Sequence, residues 1–152
     1  MEQSLPVSVG DYAASIGTTG FDYTVVLANG SIIPPNGAFQ AVSGVRIAEI
    51  TDGLSNTLLV GEKHVPTGQD GIAPWDCGLW DGHNISCSTR AAGPGFALAV
   101  SADDLSWKLG SRHPGVCQFV FCDGSVRVLN KTTTAMNLGF LAQRNDGQVI
   151  RD

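Results

Sequence analysis

The residues able to do chemistry fall into three groups. In "SRHPGVCQFVFCDGSVRVL" His113 stands nine residues ahead of the pair Asp123-Gly124, and a histidine with a carboxylate can make a general base or a pair of metal ligands. In "TGQDG" and "PWDCGLWDGHN", Trp75, Asp76, Trp80, Asp81 and His83 form a candidate platform of the kind that stacks sugar rings. Asp70, Asp76 and Asp81, with the pair Asp103-Asp104, offer the oxygen donors that calcium prefers. The third group is Cys77 and Cys87, whose nine intervening residues make an easy loop for a disulfide to close; two unpaired thiols are the alternative.

Each group has a plainer reading. Aspartates in Gly-rich loops are commonly turn formers, tryptophans commonly bury themselves as anchors, and the acidic spacing fits no EF-hand. The four cysteines contain no CxxC pair and match no common zinc pattern. There is no GxSxG, no HExxH and no phosphate loop. Ser111 and His113 do not make a nucleophile pair that sequence can support, so the chain is read as a non-enzyme. No cofactor is expected beyond the calcium candidate.

The elements that must position these groups are clearest near the carboxy terminus. β-branched and aromatic residues flank Asp123-Gly124, the signature of a β-hairpin with a two-residue turn. That turn pairs Cys122 with Ser125, Phe121 with Val126 and Phe119 with Val128, and puts Cys117, Phe119, Phe121, Val126 and Val128 on one buried face. His113 and Asp123 then stand at opposite ends of a strand about 30 Å long and share no ligand. Cys117 and Cys122 face opposite ways, about 16 Å apart, and cannot bridge each other.

Upstream, "IAEITDGLSNTLLVGEK" reads either as a strand turning back at Asp52-Gly53 or, with a slight edge, as a short helix over Ile47 to Ser55 feeding a strand over Thr57 to Glu62. Glu62 ends an apolar strand and needs a charged partner if buried, which makes Glu62–Arg112 or Glu62–His113 the expected ion pair. Residues 63–106 lose all periodicity and form a long, ordered loop. The amino-terminal residues suggest irregular strands broken at Asn29-Gly30 and Pro35-Asn36-Gly37.

Composition sets the frame. A chain of 152 residues with 19 glycines, 15% charged residues and net charge −5 suits one loop-rich domain, numbered 1–152. It lacks the basic footprint of a nucleic-acid binder and any run long enough to span a membrane. The expected class is α+β and β-dominated: an antiparallel sheet centred on the carboxy-terminal hairpin, with one or two short helices.

Three segments, the His113-to-Gly124 motif, "IAEITDGLSNTLLVGE" and the tail "LGFLAQRNDGQVI", come in the order seen in the H-X9-DG domain associated with prepilin processing in bacteria, and over roughly Tyr12 to Ile150 the chain resembles that family. His113, Asp123, Gly124, Asp52, Gly53, Glu62 and Arg112 carry the resemblance or adjoin it as structural residues. It implies an extracytoplasmic head of a type IV pilin-like or type II secretion pseudopilin-like protein, contacting membrane only through a leader helix not among these residues. The implied work is assembly into filaments with itself or other pilin-like subunits. The alternative is a secreted binding module that takes carbohydrate or calcium through residues 70–83.

Overall fold

The computed structural model describes residues 8–41, 43–78 and 84–150. Four segments form the framework of a five-stranded sheet in the order β5-β1-β4-β6-β7: β1 (Tyr12–Ser15), β4 (Leu58–Glu62), β6 (Val116–Phe121) and β7 (Val126–Asn130). A two-residue strand, β5 (Thr89–Arg90), completes it. A small separate hairpin joins β2 (Val25–Val26) to β3 (Ile32–Ile33) across Asn29-Gly30, and the helix α1 spans Ala135–Ala142. The molecule is therefore a β-dominated α+β domain.

Strand β6 shows why. Its residues alternate between half-buried and buried, with Cys117, Phe119 and Phe121 at most 1% exposed, as the period of two demands. These three side chains join Leu58, Ala13, Ala92, Leu98 and Leu109 in one core, closed by Leu138, Leu141 and Ala142 of α1. Thr134 caps that helix by accepting from the Asn137 N–H, which satisfies one of the orphan donors of its first turn. At Gly61 the sheet is too tight for a side chain, since a Cβ there would lie 2.6 Å from the Phe119 ring.

Five expectations are corrected. The hairpin turn has three residues, Cys122-Asp123-Gly124: the Phe121 N–H donates to the Ser125 carbonyl and Gly124 sits at φ +83°. This is a turn closed by a glycine in the left-handed region. The extra residue moves the register by one, so that Phe119 faces Arg127 and Val120 faces Val126. A one-residue slip flips every side chain of the second strand. Val126 and Val128, expected in the core, are 66% and 57% exposed, while Arg127 lies over the Phe121 ring, 4.2 Å from its centroid.

The hairpin also lies at one edge of the sheet, not its centre, and the sheet is mixed. β5 runs parallel to β1, which the long crossover from Lys63 allows. Instead of a helix over Ile47 to Ser55 there are two single 3₁₀ turns, Ile47–Glu49 and Leu54–Asn56. Asp52-Gly53, with Gly53 at φ +100°, breaks the run between them.

Candidate functional site

Strands β4 and β6 pair as far as Gly61 and Phe119 and then part. The Glu62 carbonyl accepts from the Gly110 N–H, and Lys63 pairs with Leu109. Gln118 is thereby left without a main-chain partner across that gap. The Glu62 carboxylate fills the vacancy: Oε2 accepts from the Gln118 N–H at 2.6 Å, and Oε1 accepts from His113 Nε2 at 3.1 Å. Arg112 takes no part in this pair and donates instead to the Val65 carbonyl.

His113 is thus held at the mouth of β6 by Glu62 and by its own N–H, which donates to Ser111 Oγ. At the far end Asp123 folds onto its turn, accepting from the Ser125 N–H and Oγ, with the Arg127 guanidinium 3.7 Å away. Those Ser125 hydrogen bonds hold the Asp123 carboxyl below its ordinary range. The two ends of the motif share no contact, so the spacing of nine measures a strand and its approach.

Cys117 lies against Glu62 inside the core, and burial, with the Glu62 charge, pushes its thiol up to about 12. Cys122 is raised to about 11, chiefly by burial. Neither thiol ionises near neutrality, which removes the chemistry of a cysteine nucleophile.

Asp52 is buried, and both its carboxylate oxygens accept backbone N–H groups, from Asp146 at 2.7 Å and Gly147 at 2.9 Å. It fastens the "RNDGQ" tail to the "TDGLSN" turn, which explains why two distant motifs occur together. Arg144 reinforces the clamp by donating to the Gly37 carbonyl. Burial beside Asp52 raises the Asp146 carboxyl above its ordinary range.

The excursion from Lys63 to Ser106 is held by a buried polar cluster that sequence reasoning missed. Lys63 Nζ and Asp76 Oδ1 meet at 2.6 Å, with both side chains nearly inaccessible. Asp76 Oδ2 accepts from the Gly71 N–H. Asp76 is therefore committed to Lys63 and does not belong to a surface platform. Arg90 is fully buried and donates to the Trp75, Thr89, His64 and Ser86 carbonyls. Burial lowers its guanidinium to about 10, so it stays charged.

Trp75 Nε1 donates to the Leu105 carbonyl and Trp107 Nε1 to that of Ser86. A disulfide joins Cys77 to Cys87 with a Cα separation of 5.4 Å. Trp80, Asp81 and His83 lie outside the described residues. Asp70 is exposed, and Asp104 is held by Ser106 and Lys108, whose hydrogen bonds lower its carboxyl to about 2. Among the described residues no three of His, Cys, Asp and Glu converge as metal ligands.

The basic signal at this site is spread through the sequence and emerges only in the fold. His64, Arg112, His113 and Lys131 come together around one open groove of about 440 Å³, beside the Glu62–His113 pair. Lys131 and His64 carry no motif that would have flagged them.

No curated protein and no solved structure matches the chain. The family model described as "Protein of unknown function (DUF1559)" matches residues 8–135, most of the chain's length, and the chain therefore belongs to that family.

Proposed function

We propose that this domain is the extracytoplasmic head of a pilin-like or pseudopilin-like protein, non-catalytic, whose work is assembly and surface presentation. The observation that carries the reading is the outer face of the sheet. Val120 faces Val126 and Val60 faces Val120 and Ala14 across the strands. Tyr12, Val126 and Val128 are each more than half exposed. The apolar row Ala14–Val60–Val120–Val126 crosses the sheet, half-buried as far as Val120, with Tyr12 beside Glu62 and Val128 beside Gln118; an apolar row left partly in solvent suits a surface that is covered, and in a filament the cover is a neighbouring pilin-like subunit. The Cys77–Cys87 disulfide favours an oxidising compartment outside the cytoplasm. The motif resemblance to the H-X9-DG domain points the same way.

The test uses the protein expressed from its complete natural reading frame in its own cells. A mature amino terminus produced by prepilin-type cleavage is expected, together with loss of surface filaments in a Val126→Asp/Val128→Asp variant that still folds. An amino terminus made by an ordinary signal peptidase, with surface presentation untouched by the variant, would overturn the reading in favour of a secreted binding module.

A further inference from the structure

We propose that the groove between the turn at residues 111–115 and the loop at residues 100–102 binds a small polar molecule bearing one oxyanion, a carboxylate or a phosphate. Its walls carry Arg112, Lys131, His113 and His64, and no Asp or Glu is among its lining residues. In a chain of net charge −5 that local balance is inverted. Two carboxylates that contact the groove's residues are already engaged, Glu62 by Gln118 and His113 and Asp104 by Ser106 and Lys108, and Asp103, next to Ala102, is exposed and outside the lining.

Among the described residues, Arg112 and Lys131 are, with the exposed Arg46 elsewhere on the surface, the Lys and Arg side chains left outside ion pairs and buried contacts. Lys63, Lys108 and Arg127 each pair with an aspartate, and Arg90 and Arg144 are committed to buried carbonyls. Among the described residues the Arg112 side chain makes one hydrogen bond, to the Val65 carbonyl, and the Lys131 side chain one, to the Ser111 carbonyl at 2.6 Å. Neither makes an ion pair among the described residues. Arg112 keeps most of its five donors for a planar oxyanion, the geometry in which guanidinium exceeds ammonium.

Lys131 is fixed from two sides, since its backbone N–H donates to the Gly115 carbonyl. The ammonium is therefore placed at the groove before any ligand arrives, which lowers the ordering cost of binding. Burial lowers the His64 pKa, and its Nε2 is occupied by the Asp104 carbonyl at 2.7 Å, so at neutral pH it shapes the floor without adding charge. The volume of about 440 Å³ exceeds what a bare ion needs and lies in the range of small-molecule clefts. Ser101, Ser111 and Thr132 offer hydroxyls to the remainder of such a ligand.

The experiment is an amide-shift titration of the folded, oxidised protein with inorganic phosphate, with glucuronate and with glucose, at ionic strength held constant by sodium chloride. Saturable shifts confined to residues 100–102, 111–115 and 131–132 are expected with phosphate, glucuronate or both, and none with glucose. Response to phosphate alone assigns a phosphorylated ligand, and response to glucuronate a sugar acid. Arg112→Gln is expected to weaken binding at least about tenfold, the loss of one charge-assisted pair, and Arg112→Lys by less, with β6 and α1 shifts unchanged in both. Shifts that fail to saturate, that match those of sodium chloride, or that survive Arg112→Gln overturn the proposal.

Discussion

His113 Nε2 lies 3.1 Å from Glu62 Oε1, yet the two residues do not have equal stakes in the contact. The Glu62 side chain is 11% exposed and that of His113 is 55% exposed, and only Glu62 also completes the β6 ladder through Gln118. Glu62→Gln removes the charge that accepts from both Gln118 and His113 and leaves one of the two sites to an amide donor, at a cost of about 1–3 kcal/mol. His113→Ala removes a solvent-exposed pair, worth about 1 kcal/mol or less. Urea unfolding of the two variants checks the order, and equal losses would contradict it.

The hairpin, the α+β class and the meaning of the nine-residue spacing are legible in the sequence, because alternation along "VCQFVF" and the Asp-Gly turn are local signals. The faces of Val126 and Val128 are not legible there, because Asp-Gly serves both two- and three-residue loops, and a single residue decides which face is buried. α1 was not located: it is only eight residues long, follows three threonines and contains Gly139, all of which weaken a helical pattern. The buried Lys63–Asp76 pair and Arg90 left no trace, since their partners are distant residues or main-chain carbonyls. The cationic groove was likewise illegible, being assembled from residues 64, 112, 113 and 131.

The thiols give a chemical test of burial. With Cys117 raised to about 12 and Cys122 to about 11, both are protonated at pH 8 and the thiolate that attacks a disulfide reagent is scarce. Native protein is expected to react with such a reagent far more slowly than urea-unfolded protein, with Cys122, the less buried one, reacting first. Rapid labelling of Cys117 in the folded state would show that the core opens readily at β6.

His64 sets a pH dependence whose sign follows from its environment. Burial lowers its folded pKa below the ordinary value of 6.5, so the unfolded chain takes up the proton first as pH falls. Its contribution to stability is therefore complete above pH 6.5 and is lost as pH drops below that value toward the folded pKa. The urea midpoint of the parent protein should fall between pH 7.5 and pH 5. In His64→Asn that part of the slope should shrink, and an unchanged slope would assign the loss to other groups.

Lys63 and Asp76 offer the sharpest energetic contrast. Two charges meeting at 2.6 Å with almost no solvent recover by mutual attraction much of the desolvation they suffer, so the pair as a whole adds little. Removing one partner is different, because the other remains buried and unpaired: Lys63→Met alone and Asp76→Leu alone should each cost about 3–5 kcal/mol. Asp76→Leu also abandons the Gly71 N–H, which places it at the upper end of that range. The double variant should lose markedly less than the two single losses added together. Additive losses, measured by the same urea denaturation, would mean that solvent reaches the pair and that its two charges do not depend on each other.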